Sequence, residues 1–221
     1  MIKLVNQPSM SRATNTDVRR AQIVDALVHV MARQGYDGAS IAEVARRADL
    51  APGLVHYHFK NKLEILVEAV RTLGASHVSV LEAALAAVDP DDAPGQLVAF
   101  IDVHLGLGAH ADPDALACWV LISAEALREK RVRAAVEVVL ADLAHRLAAI
   151  IRRGHASGQF ASADADAGAA ALLATIQGYF SVAATARELI PSGSAARCTL
   201  QMAEGLLRPK RPLRAPARRR S

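Results

Sequence analysis

The stretch that decides the fold is "SIAEVARRADLAPGLVHYHFKNK", residues 40–62. It opens with Ser40 and has Glu43 three residues later, a spacing that predicts a capping box at the start of a helix. Asp49 and Pro52 then interrupt the helical pattern, so this helix is short, and Pro52 suits the first turn of the next one. Two short helices joined by "ADLA" are the elements of a helix-turn-helix.

Small and apolar residues fall where such a pair needs them. Ala45 is small where the two helices would cross, and Asp49 lies where the turn needs a left-handed backbone, which Asp adopts at some cost relative to glycine. A preceding helix is predicted from about Thr16 to Gly35, because apolar residues recur on one face with a 3.6-residue period. The residues expected to pack the pair on this helix are Val44, Ala48, Leu50 and Val55.

From Val18 to Val70 the sequence resembles the TetR family of transcriptional regulators, through "GYDGASIAEVARRADLAPGLVHYHFKNKLEILVEAV". Family members share a glycine and an aromatic residue after the first helix, a capped second helix, and a recognition helix that ends in an aromatic-His-Phe run followed by lysine. The matching residues here are Gly35, Tyr36, Ser40, Tyr57, His58, Phe59 and Lys62. The resemblance implies a dimeric regulator, most commonly a repressor, that a small-molecule effector releases from a palindromic operator.

A recognition helix this short would point its exposed face at base edges in the major groove and its flanks at phosphates. Leu54 and Tyr57 would contact thymine methyls or sugars, and Phe59 would face the core. The residues predicted to bind DNA are Ser40, Gly53, Leu54, His56, Tyr57, His58, Lys60 and Lys62. Two positions depart from the family pattern, since Ala51 replaces a common capping serine or threonine and His56 replaces a common phosphate-contacting tyrosine.

Composition favours an all-α fold, because apolar residues make up 52% of the 221 and aromatic residues only 4%, with no sustained alternation of the kind strands show. Charge is uneven: residues 1–62 carry a net +4, residues 63–207 a net −7 and residues 208–221 a net +7. We therefore predict a flexible leader over 1–15, a helix-turn-helix DNA-binding domain over 16–62, a ligand-binding and dimerisation domain over 63–207, and a basic disordered tail over 208–221. The tail is either a solubilising end or a nonspecific attraction for nucleic acid.

The acidic middle is predicted to hold six helices, at about 61–88, 94–109, 113–128, 131–157, 163–189 and 193–207. The segment "CWVLISAEALREKRVR" is similar to the ligand domain of the choline-responsive branch of the family. Trp119 would stack on a cation, and Glu125 would neutralise it, which fits a cationic or amphipathic effector. Trp119 and His104 would otherwise be core residues. The residues predicted to bind the effector are His104, Trp119, Ile122, Glu125 and Gln177.

No residue is charged from 167 to 186, and this stretch is rich in alanine and glycine. Small residues let two helices approach closely, so a homodimer is predicted through the last two long helices, with Gly168, Ala171, Thr175 and Gly178 at the interface. The length would also span a bilayer. A membrane-associated helical protein that uses this segment and the basic tail is therefore the alternative, although Gln177 and the small residues suit lipid poorly.

An enzyme with His56 or His58 as its base is the other rival. No glycine-rich phosphate loop, nucleophile elbow or pair of carboxylates supports it, and no catalytic residue or cofactor is predicted. Cys118 and Cys198 are too few and too far apart for a disulfide framework or a metal cluster, and the histidines lack metal-ligand spacing. Because the N-terminus lacks the apolar region of a secretory signal, the expected location is the cytoplasm.

Overall fold

The structure is a computed structural model, and it describes residues 15–106, 113–161 and 164–214. These residues form nine α-helices, which confirms the predicted all-α fold. The helices are α1 (Asn15–Gly38), α2 (Ile41–Arg47), α3 (Pro52–His58), α4 (Lys62–Ala86), α5 (Ala93–Leu105), α6 (Pro113–Ala126), α7 (Lys130–Ala156), α8 (Ala165–Thr185) and α9 (Ser194–Leu207). A short 3-10 helix, Arg187–Leu189, follows α8.

The capping box and the left-handed turn that the sequence predicts are both present in the structure. The backbone amide of Glu43 donates to Ser40 Oγ at 3.1 Å, and the amide of Ser40 reaches the Glu43 carboxylate at 3.4 Å, so the capping box is present. Asp49 has a φ of 54°, which confirms the left-handed turn between α2 and α3. Gly35 has a φ of 73° and interrupts α1, after which helical structure continues to Gly38.

The described chain divides into two compact units. Unit 1 contains the described residues up to Gly74 and those from 113 to Glu137, whereas unit 2 contains those from Ala75 to 106 and from Val138 to 214. Within unit 1, α6 packs along α1. The predicted domain boundary after Lys62 therefore differs from the division by packing, because α6 belongs with the helix-turn-helix. The assignment of functions to the two predicted domains stays a proposal.

Unit 1 has a core built around the face of α1 that the sequence predicts. Its members are fully or almost fully buried: Ile23, Val24, Leu27, Val30, Met31, Val44, Ala45, Ala48, Val55 and Phe59. Leu50, which we expected in the same group, is only partly buried. Because α2 and α3 each contribute buried residues to one core, the pair is fixed on α1.

Unit 2 has a core made by α5, α7, α8 and α9. Its largest buried side chains include Phe100, Ile101, Leu147, Ile151, Phe160, Leu172, Ile176 and Leu207. Gly154 lies directly against the ring of Phe160, and a Cβ there would overlap the ring. This close approach requires glycine at that position.

The prediction that the chain is disordered from residue 208 is wrong for residues 208–214. The amide of Lys210 donates to the carbonyl of Gln159 at 3.0 Å, and the amide of Leu213 donates to Glu204 Oε1 at 2.6 Å. Leu213 is buried, and Arg211 pairs with Asp92. One apolar anchor and an ion pair thus hold a segment whose composition suggested disorder. Residues 215–221 and 1–14, the rest of the tail and almost all of the leader, lie outside the described residues.

Candidate nucleic-acid interface

The outer face of α3 is aromatic and polar. Tyr57 is 79% exposed and Leu54 is 36% exposed, and His56 and Gly53 are exposed beside them. The rings of Tyr57 and His58 meet edge to face with centroids 5.1 Å apart. Such a large exposed aromatic side chain has no packing role in the single chain, so this face is free to meet a partner.

The inner face of α3 holds the helix in place. Val55 is fully buried, and Phe59 just after the helix is 2% exposed, as predicted for a core residue. The N-cap of α3 is Ala51, whose side chain makes no capping hydrogen bond. At the turn before α3, Gln22 Nε2 of α1 donates to the carbonyl of Ala48 at 2.5 Å. The helix thus depends on neighbouring elements for its position.

The two lysines after α3 differ in how free they are. Lys60 is exposed, and its backbone amide donates to Glu64 Oε2 at 2.9 Å. Lys62 is partly buried: its Nζ donates to the carbonyl of Tyr36 at 2.6 Å and lies 4.2 Å from the centroid of the Tyr36 ring. An ammonium has three N–H donors, so Lys62 can still donate to a phosphate. Its contacts in the single chain, however, hold the end of α1.

The environment of Tyr36 also locates Glu125. Burial, together with the charges of Glu125, Glu129 and Asp37, raises the pKa of the Tyr36 hydroxyl to about 12. Glu125 therefore exerts its charge at the end of α1, inside unit 1. Sequence reasoning assigned Glu125 to an effector and missed this neighbour, because the contact joins residues almost ninety positions apart.

The helix start at Ser40 is exposed, but its hydroxyl is used. Ser40 Oγ accepts from the amide of Glu43 and lies 3.4 Å from the Glu43 carboxylate. His58 is partly buried, whereas His56 is exposed. Contact of Ser40 and His58 with DNA stays a prediction, and both side chains have less freedom than Tyr57 or Lys60.

The residues predicted to bind an effector are divided between the two units. Trp119, Ile122 and Glu125 lie on α6 in unit 1, whereas His104 on α5 and Gln177 on α8 lie in unit 2. Ile122 is fully buried, and Trp119 and Gln177 are partly buried. The two groups are therefore separate candidates.

His104 has a partner that the sequence did not reveal. Its Nε2 lies 2.9 Å from Nε2 of His77 on α4, its Nδ1 lies 2.7 Å from the carbonyl of Phe100, and its ring stacks on the Phe100 ring at 4.6 Å. A carbonyl only accepts, so Nδ1 of His104 carries the proton and Nε2 accepts from His77. Burial lowers the pKa of His104 to about 4, with His77 adding to the shift, and burial lowers the pKa of His77 as well. Both imidazoles are neutral at pH 7.

The predicted interface residues on α8 do not all point the same way. Gly168 is buried, and a Cβ there would lie 3.3 Å from Leu207 and 3.4 Å from Ile151 of the same chain. Ala171 and Gly178 are exposed, and Thr175 donates its hydroxyl proton to the carbonyl of Ala171 at 2.9 Å. Gly168 therefore serves the core of unit 2, and the candidate contact surface is limited to the other three.

Two further features of the described residues bear on other classes of function. They contain no group of three or more His, Cys, Asp or Glu side chains arranged to hold a metal ion. One of their helices, α8, is long and apolar enough to cross a membrane, with a mean hydropathy of 1.4. Core helices of soluble proteins meet the same criterion, so this is weak evidence for a membrane span.

The family comparison matches the same part of the chain that carries the helix-turn-helix. Residues 23–69 match the model for bacterial regulatory proteins of the tetR family. The HTH-type transcriptional regulator BetI of Rhizobium meliloti is 32% identical over 117 residues, which are 52% of this chain and 56% of that relative. The chain thus covers about half the length of this curated relative.

Solved structures agree with the fold over most of the chain. A transcriptional regulator from Saccharomonospora viridis, in complex with choline, has a TM-score of 0.76 at 24% identity and covers 85% of this chain and 96% of that one. FadR from Bacillus subtilis, in complex with stearoyl-CoA, has a TM-score of 0.69 at 21% identity and covers 85% and 97%. Both of these solved structures are of transcriptional regulators.

The fold and the exposed α3 face define an all-helical protein with an N-terminal helix-turn-helix domain. Residues 23–69 thus match the tetR family of bacterial regulatory proteins, as the sequence resemblance indicated, and the described chain shares its fold with solved transcriptional regulators.

Proposed function

We propose that this protein is a cytoplasmic, dimeric DNA-binding regulator, most simply a repressor, which a small-molecule effector releases from a palindromic operator. The observation that carries the proposal is the exposed face of α3, with Tyr57 outward and Lys60 exposed at its end, on a helix-turn-helix fixed to α1. An aromatic and basic face of this size fits the major groove and its flanking phosphates. BetI of Rhizobium meliloti, a curated relative that matches about half of the chain, is a transcriptional regulator.

DNA contacts are assigned by the exposure and the hydrogen-bond capacity of each side chain. Leu54 and Tyr57 would meet thymine methyls or sugars, and Lys60 would meet a phosphate. Gly53 has open space around its Cα, so the backbone can approach DNA closely there. Ser40, His56, His58 and Lys62 complete the proposed set as flanking contacts. The tail beyond residue 214 would add nonspecific attraction, since three of its seven residues are arginine.

Dimerisation is proposed through α8 and α9, which pack on each other within unit 2. Ala171 and Gly178 expose a small, uncharged surface on α8, and Thr175 has already satisfied its own hydroxyl. On α9, Met202 is 54% exposed, and a second copy packed there would cover it. A two-fold axis here would present two α3 helices to an inverted repeat.

The effector is proposed to be cationic or amphipathic. Solved structures of similar fold hold choline in one case and stearoyl-CoA in another, and these ligands belong to those proteins. In unit 2 the polar feature is a neutral imidazole pair beside Phe100, which favours an amphipathic molecule at His104 and Gln177 over a cation. A cation would instead use Trp119 and Glu125 beside the buried Ile122 in unit 1.

Selection of bound duplexes from a random DNA pool tests the proposed function. We expect the full chain to enrich an inverted repeat whose half-sites lie about one helical turn apart or a multiple of it. If the recovered pool is not enriched and binding depends only on salt, the protein binds nucleic acid without sequence specificity. Absence of any DNA binding would refute the proposal.

A further inference from the structure

α3 is weakly stabilised by its own sequence. It has seven residues, Ala51 gives it no side-chain cap, and Val55 is its buried residue. By contrast α2, also of seven residues, has the complete capping box of Ser40 and Glu43. Isolated helices of this length are not stable in water. Something outside α3 must therefore fix its direction if it is to read base edges.

The side chain of Arg20 on α1 supplies three contacts at the end of α3. Its Nη1 donates to the carbonyl of His58 at 2.8 Å, and its guanidinium carbon lies 4.1 Å from the centroid of the Phe59 ring. Its Nη2 lies 3.5 Å from Glu68 Oε2 on α4. One planar cation thus ties α1 to the last residue of α3, to the aromatic residue after it and to α4.

Each contact suits the chemistry of arginine. The carbonyl of His58 is among the last of a helix, which have no intrahelical donor, and a cation at a helix C-terminus is favourable. The guanidinium stacks on an aromatic face while its edge donates, which lysine does less well. The side chain is two-thirds buried, which reduces the competition from water.

We propose that Arg20 is a positioning residue for DNA recognition, which sets the direction of α3 without itself reading bases. This inference rests on the proposed function, since it states how the reading surface is held. Loss of Arg20 would let α3 tilt while the core contacts of Val55 and Phe59 keep unit 1 folded. Sequence discrimination should then fall much more than nonspecific affinity.

The test compares Arg20→Met with Arg71→Met. Methionine keeps the apolar stem of Arg20 but removes the charge and every donor. Arg71 Nη1 also lies near Glu68 Oε2, at 3.8 Å, but this pair lies within α4, so its variant removes an equal charge and serves as the matched control. Arg20→Lys, which keeps the charge over Phe59 and one donor, tests for partial rescue.

Two readouts are measured on each full-length variant. The first is affinity for the duplex enriched by the wild type, compared with affinity for a random 30-base-pair pool. We expect Arg20→Met to lower affinity for the enriched duplex at least about tenfold and affinity for the random pool by no more than about twofold. Arg71→Met should likewise lower affinity for the random pool by no more than about twofold. The second is amide hydrogen exchange without DNA, in which the amides of residues 54–59 should exchange at least about fivefold faster in Arg20→Met alone.

The outcomes separate this inference from the proposed function. Unchanged discrimination and unchanged exchange in Arg20→Met would overturn the positioning role while DNA recognition stands. If the wild type enriches no duplex, the proposed function fails and the exchange rates still decide whether Arg20 holds α3. A global increase in exchange, seen also in Arg20→Lys, would make Arg20 a residue of general stability and overturn the inference.

Discussion

The two compact units differ in where their polar side chains lie. In unit 1 the Lys62 ammonium donates to the carbonyl of Tyr36, and His29 Nδ1 lies 3.7 Å from Asp114 Oδ2. In unit 2 His104 of α5 is buried and His77 of α4 is partly buried, both imidazoles are neutral at pH 7, and α8 has no charged residue after Asp166. The exposed face of α3 and Lys60 therefore lie in unit 1, whereas the neutral imidazole pair and the small uncharged surface of α8 lie in unit 2.

This difference explains which perturbation should affect each unit. Exposed cations respond to salt, because counterions compete with phosphates for them. Buried neutral imidazoles respond to pH, because protonation requires a charge in a poorly solvated site. Small uncharged surfaces respond to added volume.

Acid should destabilise unit 2 through His104. Its pKa in the folded protein is about 4, below the ordinary 6.5, so the unfolded chain binds more protons between these values. The free energy of unfolding should therefore fall as the pH drops from 6.5 to 4, by at most about 3 kcal/mol. Urea unfolding followed by circular dichroism measures it.

The matched comparison uses His104→Phe, which keeps a ring beside Phe100, and His145→Gln, which changes an exposed histidine of α7. The fall in the free energy of unfolding between pH 6.5 and 4 should be smaller in His104→Phe and unchanged in His145→Gln. Equal acid sensitivity in all three proteins would mean that the buried pair does not govern it.

Removal of the aromatic group from α3 should have the largest effect on specific DNA binding. Tyr57→Ala deletes a highly exposed aromatic ring on α3, with an expected loss of about 1–3 kcal/mol, or about 5–150-fold in affinity for the selected duplex. Fluorescence anisotropy with labelled duplex measures the loss. Leu127→Ala is the control, because Leu127 is also highly exposed but lies just after α6. A Tyr57→Ala protein that binds as tightly as the wild type would remove α3 from the proposed interface.

Added volume on α8 should separate the proposed dimer. Among the described residues, no atom beyond the adjacent backbone of α8 lies within 4 Å of a Cβ built at Gly178, so Gly178→Leu is compatible with the monomer and even favours its helix. Overpacking at a two-fold contact typically costs about 1–3 kcal/mol, which raises the dimer dissociation constant about tenfold or more. Sedimentation velocity measures it, with Ala141→Leu on the exposed side of α7 as the control. A Gly178→Leu protein that is still fully dimeric at low micromolar concentration would place the interface elsewhere.

The lysines after α3 should show the smallest and most uniform effect. Lys60→Ala should weaken binding to all duplexes equally and reduce the slope of log affinity against log salt by about one. Lys62→Ala should do the same and also lower the melting temperature, because Lys62 holds the carbonyl of Tyr36. Salt titrations of both variants measure the slopes. A Lys60→Ala protein that loses discrimination but keeps its salt slope would make Lys60 a base-reading residue.

Elements specified by local sequence were predicted well. Ser40 and Glu43 lie three residues apart and make the cap alone, and Asp49 and Pro52 set the turn without distant help. Helix bounds in the acidic middle follow from proline, glycine and polar breaks, and α4, α6, α7 and α9 lie within a few residues of their predictions. Phe59 was placed correctly because the helical period decides which side faces α1.

Contacts between distant residues were not predictable in this way. His77 and His104 are 27 positions apart on different helices, and no local pattern pairs them. Lys62, which was predicted to bind a phosphate, donates to the carbonyl of Tyr36. Gly168, which was predicted to lie at the dimer interface, is buried against Leu207 and Ile151 of its own chain. Leu213 is a single apolar residue in a basic, proline-containing segment, so composition alone indicated disorder where the structure has a packed end. Such contacts depend on the tertiary arrangement.

The central claim is that two copies of the chain place two α3 helices on one inverted repeat. Sedimentation of the labelled, selected duplex with the full-length protein tests this most directly, because it counts chains per duplex. The account predicts two chains, or a multiple of two, on the full site, and a large loss of affinity when one half-site is scrambled. One chain bound to the full site, with undiminished affinity for a single half-site, would contradict it.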